Sequence, residues 1–232
     1  MAMLDKIRQL MSQGARRGAD WDGVAAWAEA ASLVFKRARG GDGFAVEGSL
    51  GEDYVPWRLE WGPSKRFYFD SNELRIRAEL GLPDELQMLV MSRALMRRLE
   101  SETFHTLTDS LKTYADDSAP EEMRWMAMFH HLEPAALGPL RTHFGALAAV
   151  PSSVAAWLKG PLGEQLLRYV AGGPIGPNEP LELMVNRGRL TLRTALAEPV
   201  PAVLDAWLAM FAAGVQGLPQ AIKALSAPSR GA

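Results

Sequence analysis

The sequence contains no cysteine among its 232 residues. This absence excludes disulfide bridges, thiolate metal ligands and cysteine nucleophiles, and it is compatible with a reducing cytoplasm. The longest uninterrupted apolar run, AWLAMFAAGV at 206–215, has about half of the ~20 residues that a transmembrane helix needs. The N-terminal stretch lacks the apolar core and the cleavage site of a secretory signal. We therefore predict a soluble, cytoplasmic protein without a membrane span.

A strong charge of one sign is also lacking. The chain has 25 basic and 27 acidic residues, which gives a net charge of −2. This balance provides no long-range field that would attract nucleic acid or an anionic membrane, so we predict no nucleic-acid partner. The hydrophobic fraction of 48% and the charged fraction of 22% are typical of a soluble globular protein. Only six of the basic residues are lysine, which indicates a GC-rich bacterial genome.

Sequence motifs of common enzyme classes are absent. The chain has no phosphate-binding loop, no dinucleotide fingerprint after a strand and no nucleophile elbow. The nearest approach to a metal motif is HHLE, with His130, His131 and Glu133. Adjacent residues of a helix point about 100° apart and do not readily chelate one ion. We interpret both histidines as residues of the last turn of a helix, and we predict no metal site and no cofactor.

Two pairs of adjacent carboxylates remain as candidates for acid–base chemistry, Asp116-Asp117 and Glu121-Glu122. Their turn and helix-start contexts explain them without catalysis, because acidic side chains are favoured in the first turn of a helix. An enzyme whose site is assembled from distant residues, such as His105 or His143 with an acid, stays open as an alternative.

The period of the hydrophobic pattern changes from 3.6 to 2 between residues 43 and 92, which predicts strands. The segment VPWRLEWG at 55–62 places its tryptophans on one face and its Arg and Glu on the other. The strands RFYF and ELRIRAEL follow, with Ser71-Asn72 as a two-residue turn. LQMLVMS is the candidate fifth strand of an antiparallel meander. The predicted register opposes Phe69 to Leu74, Phe67 to Ile76, Trp61 to Phe67 and Leu59 to Phe69.

A second hairpin is predicted in LELMVNRGRLTLRTAL, where the turn Arg187-Gly188 opposes Val185 to Leu190 and Leu183 to Leu192. The remaining elements are a strand at 143–150 and a set of helices. The helices are predicted at 4–12, at 21–38, twice within 93–131, from 151 to 171 with a break at Gly160-Pro161, and at 200–215.

The predicted fold class is α+β, with an antiparallel β-meander and a second β-hairpin packed on one face by helices. We predict an N-terminal helical extension over residues 1–20, the α+β domain over 21–217 and a C-terminal tail over 218–232. ELRIRAELGLP and RLTLRTALAEP share the pattern L-x-[IL]-R-x-x-L-x-x-P. This internal similarity leaves open whether the domain is one unit or two similar lobes, 21–115 and 118–217.

We predict different roles for the two faces of the meander. Exposing both tryptophans beside neighbouring phenylalanines would create a large apolar patch, so we predict that the aromatic face is core. The opposite face carries the candidate binding residues Arg58, Arg66, Tyr68, Arg75 and Arg77. Arginine forks suit carboxylates and phosphates, so this face could dock an acidic partner or ligand. The alternative is a solvated face with cross-strand Arg–Glu pairs.

The segments PWRLEWG, ELRIRAELGLP and RGRLTLR, with the spacing found here, resemble an uncharacterised group of proteobacterial proteins of unknown function. The resemblance covers most of the chain beyond residue 20. It implies a bacterial protein, and it implies no activity, cofactor or site residue.

The sequence thus leads to three functional hypotheses. The first is a non-enzymatic interaction or adaptor protein, with a protein partner or a second copy of itself. The second is a small-molecule binding module with a pocket between the sheet and the helices. The third is an enzyme whose site is not visible as a motif.

Overall fold

The structure is a computed structural model that describes residues 21–39, 41–69, 72–109, 120–173 and 179–226. The predicted N-terminal helix, Asp116-Asp117 and the last six residues lie outside this range. The strands are β1 Val34–Arg37, β2 Phe44–Leu50, β3 Val55–Pro63, β4 Asn72–Glu79, β5 Met88–Ser92, β6 His130–His131, β7 Phe144–Ala148, β8 Leu181–Asn186 and β9 Arg189–Ala195. The helices are α1 (21–30), α2 Arg93–Asp109, α3 Glu121–Met128, α4 Pro134–Leu137, α5 Pro151–Leu158, α6 Pro161–Val170 and α7 Pro201–Leu225, with a 3-10 turn at Gly138–Thr142.

All nine strands belong to one antiparallel sheet with the order β1-β2-β3-β4-β9-β8-β5-β7-β6. The first four strands form a meander, and β4 pairs with β9 so that Ile76 lies opposite Leu192. This pairing joins the meander and the second hairpin into a single sheet. The α+β class predicted from the sequence is confirmed.

One face of the sheet carries the main hydrophobic core, here called the first face. Trp57, Leu59 and Trp61 lie on it opposite Ala78, Ile76 and Leu74, because alternate residues of a strand point the same way. Helices α1, α5, α6 and α7 cover this face with buried side chains such as Trp157, Trp207 and Phe211. The prediction that the aromatic face is core is therefore confirmed for Trp57, which is buried, and Trp61 packs against the same core while partly exposed.

The opposite, second face is covered by helices over part of its area. Leu95 and Leu99 of α2 and Trp125 of α3 pack with Leu89 and Met184 in a second buried cluster. The covered part belongs to β5, β7 and β8. Helices thus cover the first face, as predicted, and they also cover the part of the second face that β5, β7 and β8 form.

The chain between residues 31 and 37 differs from the prediction of a helix over 21–38. Ser32 adopts a φ of 56°, a left-handed conformation that ends a helix, since L-residues rarely continue it. The following segment VFKR then forms β1, in which Phe35 lies opposite Val46 of β2. The β-branched Val34 and the aromatic Phe35 favour a strand, and the pairing with β2 stabilises the strand over a continued helix.

The predicted strand RFYF is wrong; of the predicted turn Ser71-Asn72, Ser71 lies outside the described residues and Asn72 is the first residue of β4. Residues 66–69 form a turn, closed by the Phe69 N–H donating to the Arg66 carbonyl at 3.1 Å, and β3 pairs directly with β4 instead. Phe67 is 49% exposed, whereas Phe69 is buried in the cluster on the second face. The alternation of apolar and polar residues therefore predicted strands β3 and β4 correctly, and it predicted a strand wrongly in the connection between them.

Two local predictions from turn and breaker residues are confirmed. Val185 lies opposite Leu190 in the β8–β9 hairpin, and Arg187 and Gly188 have φ values of 49° and 74°, as a two-residue type I′ turn requires. The helix predicted from 151 breaks at Gly160-Pro161 into α5 and α6.

Helix α7 extends to Leu225, well beyond the predicted end near residue 215. Within the described residues it is the one helix whose length and apolar composition would suffice to cross a membrane. The same features are found in core helices of soluble proteins, and Leu204, Trp207 and Phe211 of α7 are fully buried against the first face. Trp27 of α1 also donates its indole N–H to Asp205 of α7 at 3.0 Å.

Candidate functional site

The strands of the meander present a charged surface on the second face, at the side that α2 and α3 leave uncovered in the described part of the chain. We call this surface the open face. Its side chains alternate with the core residues of β1 to β4, as the pleat dictates. The open face consists of Lys36, Glu47, Arg58, Glu60, Glu73, Arg75, Arg77 and Glu79.

A chain of ion pairs crosses the open face from β1 to β4. Lys36 Nζ lies 2.6 Å from Glu47 Oε2, and the other carboxylate oxygen of Glu47 accepts from Arg58. Arg58 Nε donates to Glu60 Oε1 at 2.8 Å, and Glu60 Oε2 accepts from Arg75 Nε at 3.0 Å. Burial alone would raise the pKa of Glu60, and the hydrogen bonds from the two arginines outweigh it and lower that pKa. Arg58 and Arg75 are therefore largely neutralised by their neighbours.

A groove of about 770 Å³ opens at one end of the open face, between the β1–β2 turn and the segment that follows β3. Antiparallel neighbours β1–β2 and β3–β4 turn at the same end of the sheet, which brings these two connections together. Basic residues outnumber acidic ones around the groove by seven to three. The basic residues are Lys36, Arg37, Arg39, Arg58, Lys65, Arg66 and Arg75, and the acidic ones are Asp42, Glu60 and Glu73.

The basic side chains around the groove differ in whether an acidic side chain already pairs with them. Arg37 Nη2 lies 2.6 Å from Asp22, and Arg66 is bound to the buried Glu122. Arg39 and Lys65 are exposed and form no ion pair with any residue that the structure describes. An anion entering the groove would find its uncompensated positive charge at these two side chains.

Behind one wall of the groove lies a group of buried and partly buried ionisable side chains, here called the buried ion cluster. It sits between the second face and the first turn of α3. Its members are Arg66, Tyr68, Glu73, Glu122, Glu182 and Arg193. Glu122 and Glu182 are fully buried, and burying a charge is costly unless it is paired and hydrogen-bonded.

Two arginines connect the carboxylates of this cluster. Arg66 Nη1 lies 2.7 Å from both oxygens of Glu122 and also donates to the Tyr68 hydroxyl at 2.5 Å. Arg193 Nη1 donates to Glu182 Oε1 at 2.6 Å and lies 3.4 Å from Glu122 Oε1. Arg193 Nε lies 3.3 Å from Glu73. Since Arg66 also lines the groove, the cluster holds one of the groove's basic side chains in place.

The protonation of Glu182 balances the charge of the buried ion cluster. Burial and the neighbouring Glu122 carboxylate raise the pKa of Glu182 to about 8, against the opposing effect of Arg193 and Arg66. At neutral pH a protonated Glu182 leaves two carboxylates facing two guanidinium groups. Burial, Glu182 and Glu122 also raise the pKa of the Tyr68 hydroxyl, which therefore stays protonated.

The raised pKa of Glu182 predicts a pH dependence of stability. The ordinary value is 4.5, so between that pH and about 8 the folded chain holds a proton that the unfolded chain releases. The free energy of unfolding then falls as the pH rises through this window, by about 1.4 kcal/mol per pH unit from this group. Between about pH 5.5 and about pH 7.5, the free energy of unfolding measured with urea should fall by about 2–3 kcal/mol more for the wild type than for Glu182→Gln. Parallel pH profiles for the two proteins would contradict this assignment.

The structure places the five sequence-predicted binding residues on the second-face side of the sheet, with different roles. Arg58, Arg75 and Arg77 lie on the open face, and Arg77 has no ion pair among the described residues. Arg66 lies at the boundary between the groove and the buried ion cluster, and Tyr68 is 1% exposed inside that cluster. Sequence reasoning missed Arg39 and Lys65, which stand in connections, and Glu122 and Glu182, which meet only in the fold.

The histidine motif has a different context from the predicted one. His130 and His131 form the short exposed strand β6 and pair with β7, so they do not lie in the last turn of a helix. Helix α3 ends before them because Phe129 is extended, with φ −96° and ψ 157°. Among the described residues no three His, Asp or Glu side chains are grouped as metal ligands.

Comparisons with protein-family models, with curated proteins and with solved structures found no match to this chain. The proposed function therefore rests on the geometry of the open face and the groove.

Proposed function

We propose that this protein is a non-enzymatic interaction protein that binds an acidic segment of a partner protein in the groove. The observation that supports it is the excess of seven basic over three acidic residues around the groove, in a chain whose net charge is −2. Five of the seven pair with acidic side chains, so the positive charge that a ligand would meet lies at Arg39 and Lys65. Guanidinium groups pair with carboxylates in a planar, two-pronged geometry, which suits aspartate and glutamate side chains.

The shape and chemistry of the groove favour an extended acidic segment over the other anions. Small-molecule sites are mostly apolar clefts with a few polar groups, whereas 10 of the 17 residues that line this groove are charged. Proteins that bind nucleic acid usually have a strongly basic domain, and the sequence pI here is about 6.1. The interface between the aromatic first face and the helices, the site of the alternative small-molecule pocket, is filled by Leu59, Ile76, Trp207 and Phe211.

Charge reversal at the two uncompensated residues tests this proposal. The probe is a fluorescein-labelled peptide of alternating glutamate and serine, titrated by fluorescence anisotropy at physiological ionic strength. We expect the double variant Arg39→Glu/Lys65→Glu to weaken binding at least about fourfold, because two exposed pairs are lost and two repulsions are added at ~0.2–1 kcal/mol each.

The matched control is Lys159→Glu/Arg168→Glu, which changes the net charge equally. Lys159 directly follows α5 and Arg168 lies in the last turn of α6, on the helices that cover the first face. At physiological salt, charges beyond ~8 Å are largely screened, so this variant should bind within about twofold of the wild type. An equal loss in both variants would reject the groove as the site. A single-stranded oligonucleotide that displaces the peptide and binds more tightly would reject the acidic protein segment as the partner.

A further inference from the structure

The outermost strand β1 leaves one row of backbone groups without a partner in the described part of the chain. It is the terminal strand of the sheet and pairs only with β2. Directly after it, Ala38 donates its N–H to the Gly43 carbonyl at 2.9 Å. In an antiparallel pair, inward and outward backbone groups alternate along the strand. The N–H and C=O groups of Phe35 and Arg37 therefore point outward, away from β2.

The side chains of β1 limit what could occupy this edge. Lys36 and Arg37 are about half exposed, at 54% and 47%. Charged side chains on an edge strand oppose pairing with an identical edge. Two copies of the chain joined through β1 would bring four basic side chains together, which disfavours a second copy even though Glu47 and Asp22 pair with them in each copy. An acidic segment would meet the same side chains with opposite charge.

The edge and the groove are continuous. Lys36, Arg37 and Arg39 line the groove, and Lys36 projects to the open face beside Glu47, whereas Arg37 projects to the other side of the sheet. A strand added outside β1 would place every second side chain on the open-face side, because successive residues of a strand alternate. Acidic residues at those positions would lie toward the positively charged end of the sheet.

We propose that the acidic segment binds by strand addition, as an extra strand hydrogen-bonded to the outward backbone groups of Phe35 and Arg37. This inference rests on the proposed function and specifies how the partner is held. Backbone hydrogen bonds supply affinity in this mode of recognition, and alternate side chains supply specificity. The partner is thus an extended segment with acidic residues at every second position.

The test compares Arg37→Pro with Arg37→Val, using the same labelled peptide. Both variants lose the basic side chain, and only proline lacks the outward N–H; proline is tolerated on edge strands. We expect Arg37→Pro to bind the peptide about three- to tenfold more weakly than Arg37→Val, the effect of one backbone hydrogen bond of ~0.5–1.5 kcal/mol. Equal affinities in two folded variants would overturn strand addition.

Hydrogen exchange on the wild-type protein gives a second readout that needs no variant. Saturating peptide should slow exchange of the Phe35 and Arg37 amides at least severalfold more than exchange of the Lys36 amide, which faces β2. Unchanged exchange at both residues would overturn strand addition even if Arg37→Pro fails to fold. If charge reversal at Arg39 and Lys65 weakens binding while both of these tests are negative, the groove stands and only the mode of binding is wrong. If charge reversal has no effect, the proposed function itself fails.

Discussion

Arg193→Met is expected to lower the free energy of unfolding by about 3–5 kcal/mol. The side chain of Arg193 is 12% exposed, and its guanidinium faces the carboxylates of Glu73 and Glu122 and the carboxyl group of Glu182. Methionine retains much of the side-chain volume, so the loss comes from the charges. Removing one partner of a buried ion pair is costly because it leaves the other charges buried and uncompensated. Urea unfolding at neutral pH, with the midpoint and slope compared, measures this difference.

The control for this variant is Arg189→Met on the same strand. Arg189 forms an ion pair with Glu79 at 2.6 Å, and both side chains are about half exposed or more, at 45% and 63%. Exposed pairs contribute ~0.2–1 kcal/mol, so the same substitution should cost at most about 1 kcal/mol there. Equal costs at positions 193 and 189 would contradict the view that the cluster is a buried, mutually dependent set of charges.

Trp57→Ala is expected to lower the free energy of unfolding by about 3–5 kcal/mol, through the cavity and the lost apolar burial. Trp57 is 5% exposed and lies opposite Gly48 of β2. A Cβ atom added at Gly48 would stand 2.5 Å from the indole ring, which shows how closely the ring packs on the neighbouring strand. Thermal or urea unfolding measures the loss of stability.

The adjacent residue provides the control for this second variant. Arg58 points to the opposite face and is 36% exposed, so Arg58→Ala should cost about 1 kcal/mol or less. A small effect of Trp57→Ala together with a loss of peptide binding would mean that the tryptophan face, and not the arginine face, is the binding surface.

The sequence predicted those parts of the fold that depend on local patterns. The alternation in VPWRLEWG assigned Trp57 and Arg58 to opposite faces, and the breaker Gly160-Pro161 and the turn Arg187-Gly188 marked real boundaries. The sequence analysis did not predict β1, because the helical spacing of Val24, Trp27 and Ala31 extends into it. A strand of only four residues is stabilised by its pairing with β2. Such a short strand shows no hydrophobic period that the sequence alone would reveal.

The candidate site could be predicted from the sequence only in part. The arginines of β3 and β4 follow from strand alternation, whereas Arg39 and Lys65 stand in two connections that meet only once β1 is recognised as a strand. Glu122 was interpreted as a helix-start acid, and it does lie in the first turn of α3. Its ion pair with Arg66, 56 residues away, depends on how α3 packs on the second face.

The most direct measurement of the central claim is a charge swap between the groove and its ligand. The acidic peptide and a matching peptide of alternating lysine and serine are titrated against the wild type and against Arg39→Glu/Lys65→Glu. If the groove binds acidic segments through these two side chains, the wild type prefers the acidic peptide, and the variant loses that preference and binds the lysine peptide more tightly than the wild type does. If the preference for the acidic peptide is the same in both proteins, the groove is not the binding site.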